Sequence, residues 1–369
     1  MRRAIADIYR GEPVLEGAGV RLRRVFGSFE VPNFDPFLLL DDFRSDNPEH
    51  FLKGFPWHPH RGMETITYVL KGDVEHGDSM GNNGVISGGD VQWMTAGSGI
   101  IHQEMPKGDS HGSMHGFQIW ANLPASQKMM APRYRGLTAA EIPEVELPSG
   151  VRVKVIAGQV GGVRGPVQEI VIDPEYLDCT VPAGVEFVHP TRRGYTAFVY
   201  VIGGHGTVNG TPVENRTLVL FGDGDELAVQ GGNGAEPLRF LLLTGQPLDE
   251  PVAWRGPIVM NTQEELRTAF REFNEGTFVK AGQNKGGNQM AGGGTSASGP
   301  SVGRAARSCA TLSRTQAVSR ARPNSTASRP MYQSMGTGSA PTTSGPLAPE
   351  AVVVAVTVEK QPQSASIPR

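Results

Sequence analysis

The sequence predicts an all-β protein: two tandem jelly-roll-like barrels, a short C-terminal helix and a disordered tail. Three observations carry that expectation. With 48 glycines and 28 prolines in 369 residues, the composition favours turns and short strands over long helices. Short β-branched runs punctuated by Gly, Asn and Asp occur from Thr65 to Trp93 and again from Val151 to Thr244, so one architecture is read twice. After Lys280 the chain turns to Gly, Ser, Ala, Thr, Arg and Pro, with no Phe or Trp and one Tyr, Tyr332. Such a segment buries too little apolar area to offset its ordering entropy. The expected divisions are residues 1–135 for the first barrel, 136–280 for the second barrel with its helix, and 281–369 for the tail.

Taken in order, residues 1–27 alternate apolar positions around Val14, Val20, Leu22 and Val25 and read as one or two edge strands. Residues 37–40 form a continuous apolar run, expected to be a strand buried on both faces. Residues 44–54 are polar and read as a loop over the barrel mouth. Turns are expected at Gly72-Asp73, Asn82-Asn83-Gly84 and Gly88-Gly89-Asp90. Met129 and Met130 lie in a connector and are expected to pack against a barrel. In the second half, residues 151–156, 167–172, 197–202, 217–221 and 238–243 read as strands. The helix begins after Asn261 or Thr262, each with a glutamate three residues on, and places Leu266, Ala269, Phe270 and Phe273 on one face. Residues 352–358 are a β-prone island within the tail.

The formal charge of −3 hides an asymmetry. The tail carries nine Lys/Arg and two acids, whereas the body has 25 basic and 35 acidic residues. An acidic body argues against direct nucleic-acid binding. The two cysteines, Cys179 and Cys309, imply no disulfide framework and fit a reducing compartment. The N-terminus lacks the apolar run of a signal peptide, and no segment is long and apolar enough to span a bilayer. A cytoplasmic or nuclear protein without membrane partners is expected.

The chemistry concentrates in residues 54–106. His58 and His60 are one residue apart, as are His102 and Glu104. Residues two apart in a strand share a face, so two such strands facing each other bring three imidazoles and a carboxylate to one centre. Mixed nitrogen and carboxylate sets with open positions suit non-haem Fe(II), while Cu, Ni and Zn also accept imidazole. Glu64 has the parity of His58 and His60, and by spacing alone it rivals Glu104, unless Gly62 breaks the strand and re-aims the residues after it. His76 and His111 read as surface residues. His115 is either a polar group of the pocket wall or a backbone-bonded strand end. Phe55, Trp57, Trp93, Met94, Phe117 and Trp120 supply apolar wall or core. In the second half His189 and His205 lie 16 apart, Cys179 stands alone, and no same-face pair arises, so that barrel is read as metal-free.

Several stretches resemble the pirin family of two-domain cupins. They are Asp35-Pro-Phe-Leu-Leu-Leu-Asp-Asp-Phe43, Phe55-Pro-x-His-Pro-His-Arg-Gly-x-Glu-Thr65, Gly89-Asp-x-Gln-Trp-Met-Thr-Ala-Gly-x-Gly99, Ile101-His-x-Glu-Met-Pro106, His115-Gly-x-Gln-x-Trp-x-Asn-Leu123 and Gly256-Pro-x-Val-Met-Asn-Thr262. The resemblance spans roughly residues 1–280. It implies iron ligands at His58, His60, His102 and Glu104, and so favours Glu104 over Glu64. It also implies two alternative activities. One is a quercetin 2,3-dioxygenase-type reaction on a small phenolic with O2, in which Glu104 also accepts the substrate's hydroxyl proton. The other is an iron-dependent nuclear cofactor that binds a transcription-regulator protein. The tail extends past the family's usual end and is either a basic interaction arm or sequence read past the true end.

Overall fold

The computed structural model describes residues 1–280. The expected disordered tail and its β-prone island lie outside the described residues. Each half is a seven-stranded antiparallel sheet facing a four-stranded one. In the first half the large sheet runs Arg133–Leu137, Val91–Thr95, Met63–Lys71, His115–Asn122, Phe37–Asp42, Val20–Phe26, Glu12–Glu16. The small sheet runs Phe55–His60, Ile100–Gly108, Asp73–Asp78, Asn83–Ile86. The second half repeats the plan, with large-sheet order Ile5–Tyr9, Leu218–Phe221, Thr196–Gly203, Leu238–Gly245, Glu175–Val181, Arg152–Ala157, Glu144–Glu146.

Both ends of the described chain cross between the halves. Ile5–Tyr9 pairs with Leu218–Phe221 and so completes the second half's large sheet. The hairpin Ala253–Arg255/Ile258–Met260 and the helix Gln263–Asn274 pack instead on the first half, where Ile258, Met260, Leu266, Ala269, Phe273 and Phe278 form one cluster with Ile101 and Trp57. Thr262 caps the helix: its hydroxyl accepts from the Glu265 amide, and the Glu265 carboxylate accepts from the Thr262 amide.

The two large sheets pack face to face. Phe26, Ile66, Tyr68, Trp93 and Phe117 of one meet Tyr176, Phe198, Tyr200 and Leu241 of the other in a single core. A reciprocal pair of polar contacts is buried there. Tyr68 donates to Asp178 at 2.7 Å, and Asp178 is paired with Arg239. Tyr200 donates to Asp42 at 2.8 Å, and Asp42 is paired with Arg44. The two tyrosines occupy equivalent strands of the two sheets, as do the two aspartates.

Two local expectations fail. Residues 167–172 are not a strand. Val167, Ile170 and Ile172 are buried, but Glu169 and Asp173 take positive φ, at 60° and 45°, which breaks the extended run. Met129 is 50% exposed, whereas its neighbour Lys128 is buried.

Candidate metal centre

The strands Phe55–His60 and Ile100–Gly108 pair antiparallel, with His102 opposite His58. Three of their inward residues, His58, His60 and His102, come together. The three imidazoles each offer one ligand atom, and these atoms lie within 4.8 Å of one another, a group able to hold a metal ion. Among the described residues it is the one such group of three or more His, Cys, Asp or Glu. Ring centroids are 4.3 to 4.9 Å apart. His60 and His102 are buried, and His58 is half-buried.

Backbone carbonyls fix two of the three tautomers. His58 Nδ1 lies 2.9 Å from the Pro56 oxygen, and His60 Nδ1 lies 3.0 Å from the Pro257 oxygen. A carbonyl only accepts, so both Nδ1 atoms carry the proton and both Nε2 atoms are bare lone pairs. Those lone pairs face each other at 3.0 Å. The His102 Nε2 is buried without a partner. Burial drives the pKa of His58 down to about 4, and those of His60 and His102 well below the usual histidine value. The cluster is therefore neutral and cannot relieve the contact by taking up a proton near pH 7. Lone pairs held this close fit a Lewis acid between them.

Glu104 is the next inward residue on the strand of His102. Its Oε1 accepts from Thr67 on the facing sheet at 2.7 Å, and burial raises its pKa to about 7 against the lowering effect of that bond. Its carboxylate is not part of the three-histidine group. Glu64 points elsewhere. Its oxygens accept from Trp93 Nε1 at 3.1 Å and Thr95 Oγ1 at 2.6 Å, towards the core between the halves. The cause is Gly62 at φ 77°, which reverses the facing of the chain after His60.

The wall opposite the histidines comes from the large sheet. Thr65, Met94, Trp120 and Tyr134 share one face by their register, as do Thr67, Gln92 and Gln118. Trp120 stands edge-on to His60 at 5.1 Å. Thr65 Oγ1, Gln92 Oε1 and Trp120 Nε1 are buried without partners on this wall. Trp93 and Phe117 face the other way, into the core between halves, and Phe55 packs at the far end of the barrel. His76 is not a surface residue: it is 8% exposed, lies opposite Glu104 in the sheet and bonds Tyr134 at 2.8 Å. Its strand alternates inward at Val74 and His76, which the acidic neighbours obscure in the sequence. Tyr134 is a wall residue that sequence reasoning misses; a lone tyrosine after a proline-rich connector carries no signal. His111 is exposed, and His115 is half-buried at the start of its strand, edge-on to Phe117 and outside the three-histidine group.

The corresponding interior of the second half is filled by Val153, Val155, Leu177, Cys179, Val199, Val201, Phe187 and Phe240. There His189 bonds Glu175 at 3.2 Å, and His205 is exposed.

Comparison with known proteins agrees with this architecture. The pirin family model matches residues 19–121, and that of the pirin C-terminal cupin domain matches residues 176–279. The chain belongs to the pirin family. A pirin-like protein of Caulobacter vibrioides is 45% identical over 277 residues, which cover 75% of this chain and 99% of the relative. A pirin-like protein of Solanum lycopersicum is 42% identical, covering 71% and 88%. The crystal structure of a quercetin 2,3-dioxygenase from Acinetobacter baumannii is 33% identical, with TM-score 0.67, covering 75% of this pirin and 99% of that chain. Among the described residues, no helix of this pirin is long and apolar enough to cross a membrane.

Proposed function

We propose that this pirin is a non-haem Fe(II) oxygenase of the quercetin 2,3-dioxygenase type, acting on a flavonol or a similar small phenolic with O2. The observation that carries the reading is the pair of carbonyl-fixed imidazoles whose Nε2 lone pairs meet at 3.0 Å beside an unpartnered His102 Nε2. A set of neutral imidazoles with a nearby carboxylate suits Fe(II). His58, His60 and His102 would hold the metal, with Glu104 as fourth ligand. When bound, iron lowers the pKa of a phenolic oxygen and makes the substrate electron-rich towards O2.

The chain's own residues supply the rest. Glu104, held by the Thr67 hydroxyl, would stand beside the substrate and accept its hydroxyl proton. Thr65, Gln92 and Trp120 present one hydroxyl, one amide oxygen and one indole N–H, a set that suits a polyhydroxylated aromatic. The 33% identity to a structure named quercetin 2,3-dioxygenase supports the same class. Aerobic turnover of quercetin by protein reconstituted separately with Fe, Ni, Co, Cu and Mn tests the reading. The Fe(II) protein is expected to consume quercetin and O2 together; silence with all five metals overturns it.

A further inference from the structure

We infer that the segment from Ala253 to Phe278, which comes after the second half in sequence, is a strap that completes the histidine centre of the first half and sets how His60 presents its ligand nitrogen. The inference rests on the metal reading given above.

The contacts are dense and lie on both sides of the histidines. The Pro257 carbonyl receives the His60 Nδ1 proton from 197 residues away. One position on, Arg61 bridges to Ile258, and the Val259 amide donates to the Arg61 carbonyl at 3.0 Å. Gly62 lies so close that a Cβ there would sit 1.9 Å from the Val259 oxygen. Lys128 joins the two chain segments: its Nζ donates to the Gly62 carbonyl at 2.8 Å, the Asn122 side chain at 2.6 Å and the Val259 carbonyl at 3.2 Å. The buried Arg61 guanidinium pairs with Glu272 at 2.7 Å, donates to the Phe278 carbonyl and lies over the Phe278 ring. Ile101, next to His102, packs in the strap's apolar cluster.

His58 provides a contrast within the same site. Its Nδ1 acceptor is Pro56, two residues away on its own strand. One ligand is thus oriented locally and the other by a remote segment. A carbonyl that accepts from a ligating imidazole fixes its tautomer and ring angle, and loss of such partners typically weakens metal binding by about 10–100-fold.

The test uses the full chain and two variants, Lys128→Met and Glu272→Gln, which loosen the strap without touching a histidine. Long-range 1H–15N spectra of the metal-free proteins report each histidine's tautomer. Anaerobic chelator competition reports the Fe(II) dissociation constant. The expected result is a shift of His60 from the Nδ1–H form to a tautomer mixture, an unchanged His58, and Fe(II) affinity about tenfold weaker or more. A His60 that keeps its tautomer, with affinity unchanged, in the folded variants overturns the inference, as does a His58 that shifts along with His60. If Lys128→Met does not fold, Glu272→Gln decides alone. A wild-type chain that binds no Fe(II) removes the metal reading, and the tautomer arm then judges the strap by itself.

Discussion

At the residue scale, the site is defined by protons and where they are not. Two proline carbonyls hold the Nδ1 protons of His58 and His60, so the ligand nitrogens are committed before any metal arrives. His58→Ala or His102→Ala should each abolish stoichiometric iron while the far-ultraviolet circular dichroism is kept, because the two cores do not depend on these rings; elemental analysis with the spectrum on both variants checks this. The buried Glu104 gives a pH prediction of definite sign. Its folded pKa is raised to about 7, above its unfolded value, so the folded metal-free protein holds this proton more tightly than the unfolded chain. That contribution is fully present at low pH and is lost as pH rises towards 7. Metal-free Glu104→Gln, which cannot ionise, should melt higher than wild type at pH 8 and nearly level with it at pH 4.5. His58 acts in the opposite direction: its pKa is depressed to about 4, so its neutral burial weakens the fold as pH falls from about 6.5 to 4. Scanning calorimetry of metal-free wild type and Glu104→Gln across pH 4.5 to 8 separates the two.

At the scale of elements, the alternation within strands is legible in the sequence and the breaks between them are not. The spacing of His58, His60 and His102 alone places three donors on two inward faces, and the β-branched runs mark most strands. Glu64 shows the limit. Its parity matches the histidines, and only the positive φ of Gly62 between the strands turns it towards Trp93 and Thr95. A glycine in a sequence permits such a reversal without announcing it. Residues 167–172 escape for the same reason, since left-handed Glu169 and Asp173 carry no compositional mark. His76 is hidden because its solvent-facing neighbours mask an inward position, and Lys128 because three carbonyl-type acceptors, two of them from remote parts of the chain, stand in for water around its ammonium. Gly62→Ala should therefore act on two levels. A left-handed non-glycine residue costs ~1–3 kcal/mol, and the methyl would also collide with Val259. The melting temperature should drop and iron should be held less tightly; calorimetry and chelator competition on the same sample check both.

At the scale of the whole molecule, the repeat visible as two sets of short strands is matched by the reciprocal Tyr68–Asp178 and Tyr200–Asp42 contacts across the shared core. Each large sheet is the other's covering layer, so the halves should unfold in one cooperative transition, with calorimetric and van't Hoff enthalpies in agreement. Tyr200→Phe removes a buried bond to a carboxylate and should cost about 1.5–3 kcal/mol in chemical denaturation while leaving iron content unchanged.

Ile5–Tyr9 closes an outer margin of the sheet formed around Leu218–Phe221, more than two hundred positions downstream. A protein trimmed to start at Glu12 would leave that ladder of amide and carbonyl groups bare, and bare ladders recruit their like from other molecules. The first dozen residues thus move that margin outward, from the buried Leu218 and Val219 to a short strand that carries the charged Asp7 at the rim, even though they stand far from any chemistry in the chain.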